Sequence, residues 1–210
     1  MKRPIERKYK VLGIYFLILQ LFVFLRNHLL GEQILFFYYC DNIALSLAIG
    51  FLTRNIQLIK GLISSGLILQ VVYLLDLLSI IFFDQELTGT TIYLFDYDTF
   101  LLIITLFMHF GTAFVALLFT VQEETRWTAL LYALAYLAFL YFTTIAFTPK
   151  EMDMNCIFNA CDVSWAYFEG FTRWWMVTAF LFLVIPTHLL QMGLQRLVAK
   201  VKAIRAVETE

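Results

Sequence analysis

The sequence predicts an all-α polytopic membrane bundle of six transmembrane helices with both termini cytoplasmic, and composition, span length and loop charge predict it. Of 210 residues, 61% are hydrophobic and only 15% charged, with a mean hydropathy of +0.80. A soluble domain carries about a quarter charged residues to give its exposed faces polar cover. That cover is missing here, which leaves lipid as the solvent of the outer surface. A net charge of −1 offers no basic field to phosphates, so nucleic-acid binding is excluded as a class. Short alternating strands with turn signals are also absent, so helices are left to satisfy the backbone in lipid.

A bilayer core takes about 20 apolar residues per helix. Runs of that size fall at 10–25, 33–52, 56–83, 99–121, 127–148 and 171–190 of one 1–210 domain. The first follows a basic start and has no small-x-small cleavage pattern after Leu25, so it reads as a retained anchor rather than a signal peptide. The second contains Cys40 and Asp41, and the third is long enough to tilt. Pro149 closes the fifth. Pro186 should kink the sixth and free a carbonyl for His188 to cap.

Loop charge then sets orientation, because Lys and Arg are retained on the cytoplasmic side. Lys2, Arg3, Arg7, Lys8, Lys10, Arg54, Lys60, Arg126, Arg196, Lys200, Lys202 and Arg205 all fall on one side, and only Arg26, Lys150 and Arg173 on the other. The expected location is a plasma or inner membrane. Residues 149–170, with Phe158, Trp165, Tyr167 and Phe168, read as an extracytoplasmic interfacial loop, and 195–210 as a cytoplasmic tail. Cys156 and Cys161 share that outer loop, where a disulfide would clip it; a metal site there lacks further ligands.

Ionisable groups within a span cost roughly 3 kcal/mol each on the insertion scale, so each needs a partner or a purpose. Asp41, Asp76 and His109 fall at similar depths in the outer half of three consecutive helices. Asp98, Thr105, His109, Thr112 and Ala116 form one helical stripe that should face protein. Gly61, Ser65, Val72, Asp76 and Ser79 form a second, Asp41, Ala44 and Ala48 a third, and Tyr132, Tyr136 and Thr143 a fourth. Small residues on such faces let helices approach closely. The three titratable groups fit four chemistries: a structural ion pair or network, a divalent metal such as zinc that activates water, an acid–base set, or a proton or cation relay. Asp96, Asp98, Tyr93 and Arg26 are placed as entrance or substrate-binding residues. Arg26 would either grip a lipid phosphate or snorkel to the interface.

Phe37, Cys40, Asp41, Ala44, Arg54, Asn55, Gln70, Tyr73, Asp76, the run Thr91, Tyr93, Phe95, Asp96, and His109 together resemble a family of uncharacterised prokaryotic multi-pass membrane proteins. The likeness covers about the middle half of the chain, with Tyr39 and Tyr73 where that family often has Trp. It implies that Thr91 to Asp96 belongs with the intramembrane trio and carries no activity. In architecture the chain also resembles the alkaline ceramidase and adiponectin receptor group of lipid hydrolases, which use three His at a metal. Here only His109 has the required depth.

The leading expectation is a hydrolase acting on a lipid or other amphiphile, with Asp41, Asp76 and His109 as catalytic groups or metal ligands. The alternatives are a proton- or cation-coupled transporter or channel, and a non-catalytic subunit or scaffold. Membrane lipids are the expected partners, and a homo-oligomer or a partner subunit would suit the polar stripes.

Overall fold

The computed structural model describes residues 4–89, 91–158 and 171–208. Its helices are α1 (Pro4–Leu29), α2 (Tyr39–Leu52), α3 (Ile56–Phe83), α4 (Thr99–Phe110), α5 (Ala113–Thr120), α6 (Thr128–Phe147), α7 (Phe171–Ala179) and α8 (Ile185–Glu208). Among the described residues there is no strand. Four helical segments are long and apolar enough to cross a membrane, or five when α4 and α5 count as one span bent by 41°. Their outer faces leave Leu118, Leu131, Phe142 and Phe182 exposed by 72%, 67%, 65% and 68%. Apolar surface on that scale suits lipid and not water, so the chain is a helical membrane protein.

α3 is the central element and packs against α2, α5, α6 and α8. At 28 residues it is about 42 Å long, so it must tilt in a core of about 30 Å or project beyond it. Gly61 sets its distance from α6: a Cβ there would sit 2.6 Å from the Ala129 carbonyl oxygen and 2.9 Å from the Ala133 nitrogen. Phe16 of α1 stacks on Phe51 of α2 at 5.3 Å, within a core that includes Ile43, Leu47, Ile59 and Leu62.

The residues 8–9, 122–125, 195 and 202 meet at one end of the bundle. Tyr9 Oη donates to Glu123 Oε1 at 2.8 Å, Thr125 N to Gln195 Oε1 at 2.9 Å, and Lys202 Nζ to Gln122 Oε1. This terminal end therefore gathers the start of α1, the α5–α6 connection and the C-terminal half of α8. The residues 33–38, 84–89, 91–98 and 148–158 lie at the far end.

The expected second span is divided. A 3-10 turn over Gln33–Phe37 precedes α2, whose 14 residues reach only about 21 Å. Two asparagines hold the break. Asn42 Nδ2 donates to the Phe36 and Tyr38 carbonyls at 3.2 and 2.8 Å. Asn155 Oδ1 accepts from Tyr39 N at 2.8 Å while its Nδ2 donates to Phe37 O at 2.9 Å and Thr144 Oγ1 at 3.0 Å. The fourth span is divided too, at Gly111 and Thr112. Tyr15 Oη donates to Gly111 O at 2.9 Å, and Gln70 meets Thr112 Oγ1 through Nε2 and Ala113 N through Oε1, so the interrupted backbone finds partners.

Just ahead of Pro186, where a kink is expected, the helix takes a π-helical turn over Phe180–Val184. His188 caps no carbonyl there: neither ring nitrogen has a hydrogen-bond partner among the described residues. Cys156 is disulfide-bonded, and its expected partner Cys161 lies outside the described residues, as do Trp165, Tyr167 and Phe168. Val72, placed with the buried face of α3, is 38% exposed, so that face is Gly61, Ser65, Asp76 and Ser79. Lys60, counted among the loop charges, is fully buried within α3.

Gly66 faces Tyr39, whose hydroxyl donates to Leu62 O at 3.1 Å; a Cβ on Gly66 would fall 1.7 Å from that oxygen. Gly66→Ala is therefore expected to displace the Tyr39 ring and lower stability by about 1–3 kcal/mol, the cost of overpacking a full core. Thermal unfolding in detergent reads the loss, and Tyr39→Ala combined with Gly66→Ala should lose less than the sum of the two single losses, because the ring carbons that clash, at 1.8 and 2.2 Å, are gone.

Candidate functional site

α1 runs one turn past the expected first span, and that turn carries Arg26 and Asn27 inward. Arg26 is 4% exposed, so it neither snorkels nor reaches a lipid phosphate. Its Nη2 donates to Asp41 Oδ2 at 2.9 Å, its Nε to Asn27 Oδ1 at 3.1 Å and its Nη1 to Met108 Sδ at 3.3 Å. Asn27 Nδ2 donates to the same Asp41 oxygen at 2.7 Å. A buried charge needs both a counter-charge and hydrogen bonds, and Asp41 receives both from α1. Gln20 completes the link: its Nε2 donates to Asp41 O at 2.8 Å and its Oε1 accepts from Leu45 N at 2.9 Å, bridging an i, i+4 pair of α2. Two of the five N–H groups of Arg26 have no partner among the described residues.

His109 follows Met108 in the last turn of α4, directly before the Gly111 break. Its ring stacks on Tyr73 of α3 with centroids 3.6 Å apart and planes 4° from parallel. The Tyr73 and Tyr93 hydroxyls are hydrogen-bonded at 2.8 Å, and the Tyr93 ring lies edge-on to Tyr97. Burial pushes the Tyr93 phenol above its ordinary range. The Arg26 charge is within electrostatic reach of His109, Tyr73, Tyr93 and Tyr97. Through the Arg26–Met108 contact the ion pair lies beside the α4 turn that carries His109.

Asp76 lies one turn beyond Tyr73 and serves the loop rather than the pair. Its Oδ1 accepts from the backbone of Leu87, Thr88 and Gly89 at 2.9, 2.6 and 3.3 Å. Its Oδ2 accepts from Thr91 N at 3.0 Å and Thr91 Oγ1 at 2.8 Å. Thr91 opens the 3-10 turn Ile92–Asp96 that presents Tyr93, so this carboxylate fixes the loop against Tyr73. Of the remaining expected entrance residues, Asp96 is exposed, and Asp98 caps α4 by accepting from Leu101 N at 2.9 Å.

Asp41, Asp76 and His109 are all buried, as their place in apolar segments implied, yet each has a different set of contacts. Among the described residues no three His, Cys, Asp or Glu side chains form a group that could hold a metal ion. The stripe of Thr105, His109, Thr112 and Ala116 does face protein, whereas Asp98 at its head is exposed. Sequence reading missed Asn27 and Gln20 as partners of Asp41, and Asn155 as the tie between α2 and the 148–158 loop. An amide in or beside an apolar run is the signal that would have found all three. Family models, curated proteins and solved structures give no match to the chain.

Proposed function

We propose that the protein is a carrier that couples a proton to an anionic solute at the Arg26–Asp41 pair. The observation that carries this reading is the position of the pair, shut inside an apolar bundle beside a helix interrupted at Gly111 and Thr112. Intramembrane ionisable pairs mark ion and proton pathways, and interrupted helices mark the binding sites of carriers. The chemistry is an exchange of partners. Protonation of Asp41 cancels its charge and frees Arg26, whose guanidinium then takes a carboxylate or phosphate of the solute in bidentate fashion. Deprotonation returns Arg26 to Asp41 and expels the solute. Tyr73, Tyr93 and His109 line the approach, and the uncommitted N–H groups of Arg26 give the solute its first contact.

In this reading the chain makes six traverses: α1, the 33–52 segment, α3, the α4–α5 pair, α6, and α7 with α8. Its terminal end is cytoplasmic, which agrees with the basic residues gathered there, and the pair opens outward in a plasma or inner membrane. A hydrolytic metal centre on Asp41, Asp76 and His109 ranks below transport, because both carboxylates already have donors from the chain itself. In liposomes loaded with a pH-sensitive dye, succinate or phosphate applied outside should drive proton entry. Asp41→Asn should reduce that entry at least tenfold. Proton entry that Asp41→Asn leaves unchanged, or none with any carboxylate or phosphate tried, overturns the proposal.

A further inference from the structure

The last helix is longer than the membrane it crosses. From Thr172 to Arg205 it is one segment of 34 residues, about 51 Å, against a hydrocarbon core of about 30 Å. Its start is held at the far end, where Trp175 Nε1 donates to Asn155 O at 2.9 Å. A core's length further on, Gln195 Oε1 accepts from Thr125 N in the α5–α6 connection at 2.9 Å. Residues 196–205 therefore fall at the level of the headgroups. A second tie, from Lys202 Nζ to Gln122 Oε1, keeps this stretch beside the connection rather than out in water.

Leu190, Leu194, Leu197, Val201 and Ile204 follow one another at spacings of four, three, four and three residues, so they form one stripe along α8. Leu190, 49% exposed, belongs to the face that α8 shows to lipid. Leu197, Val201 and Ile204, at 58%, 40% and 50%, continue that face beyond the core. Gln195 and Lys202, seven residues apart, lie on the opposite side against the α5–α6 connection. The exposed Arg196 and Lys200 stand four residues apart along one edge of the stripe, and Arg205 along the other. Between Leu194 and Val207 the chain has four cations and no acid. A second copy of the chain suits this face poorly, because at a two-helix seam of this register Lys200 of one copy would meet Arg205 of the other. An apolar stripe continuous with the lipid-facing surface and bordered by cations is complementary to an anionic lipid.

We infer that residues 194–205 of α8 form a binding site for anionic phospholipid. Leu194, Leu197 and Val201 lie against the acyl chains, and Arg196 and Lys200 hold the headgroup phosphate at the edge of the stripe. Arg supplies a fork for two phosphate oxygens and Lys a point charge beside it. The bound lipid seats the end of α8 on the membrane and, through Gln195 and Lys202, steadies the α5–α6 connection. The site requires nothing of the Arg26–Asp41 pair and stands independently of the carrier proposal.

Two measurements on the full chain test it. In detergent, phosphatidylglycerol should raise the Tm saturably, whereas phosphatidylcholine and free glycerol phosphate should not. Arg196→Gln with Lys200→Gln should weaken the apparent phosphatidylglycerol affinity about thirtyfold, roughly fivefold per cation. Arg7→Gln with Lys10→Gln, an equal change of charge on exposed residues of α1, should leave that affinity unchanged. In nanodiscs of phosphatidylcholine and phosphatidylglycerol in equal parts, a bimane label on Val201→Cys should be quenched by lipid brominated on its acyl chains and shielded from aqueous iodide. A response to glycerol phosphate equal to that of the lipid, an affinity retained by the α8 double variant or lost equally in the α1 control, or a label quenched by iodide and not by brominated lipid overturns the inference. The last result would open the stripe to an acidic protein helix instead.

Discussion

Asp41→Ala should lower the stability of the protein in detergent by about 3–5 kcal/mol, the usual result of leaving one member of a buried ion pair uncompensated. Arg26 would then be a guanidinium 4% exposed, with only Asn27 and the Met108 sulfur as partners. Arg26→Met alone should cost a similar amount, because Asp41 would keep only Asn27 as a side-chain donor. The double variant Arg26→Met with Asp41→Leu should recover most of either loss, since apolar residues of similar volume often replace a buried pair at little cost. Unfolding followed by tryptophan fluorescence supplies the three values. Additive single losses in the double variant would show that the two side chains do not act as a pair.

Asp76→Ala should cost about 3 kcal/mol and release the 87–91 loop, because charge-assisted hydrogen bonds are the strong ones and several end on this one carboxylate. The Thr91 amide suffers most. Thr91 is fully buried and cannot exchange the lost acceptor for water. Hydrogen exchange should accelerate at Leu87 and Thr91 while protection in α1 and α2 stays unchanged. Asp76→Asn should behave in the same direction, since the amide NH2 would face backbone donors. If the loop keeps its protection in Asp76→Ala, the carboxylate is not what orders it, and Tyr93 owes its place to other contacts.

The membrane class and the helical segments were legible because lipid demands long apolar runs from helices, and the closed β-barrel that also satisfies the backbone there needs alternating strands this sequence lacks. That Asp41, Asp76 and His109 are special was legible too, as each is ionisable within such a run. Their partners were not. Arg26 reads as an interfacial residue at the outer end of the first helix because the apolar run stops at Leu25, yet α1 continues to Leu29 and a long side chain one turn from the end can fold inward. The partners of Asp76 are mainly backbone amides, which leave no trace in a sequence. The breaks at Tyr38 and Gly111 arise where Asn42, Asn155, Gln70 and Tyr15 take over backbone hydrogen bonds from distant positions. No local propensity encodes such a tertiary substitution. Lys60 deceived for the same reason: a cation at the head of a span reads as a loop charge until the α5 terminus it serves is seen.

The most direct test of the pair as a working element is the compensated variant Arg26→Met with Asp41→Leu, reconstituted in liposomes and assayed for anion-driven proton entry. The account predicts a folded bundle with near wild-type Tm and no coupled flux above empty vesicles. Full flux from that apolar pair would contradict it and reduce Arg26 and Asp41 to a staple between α1 and α2.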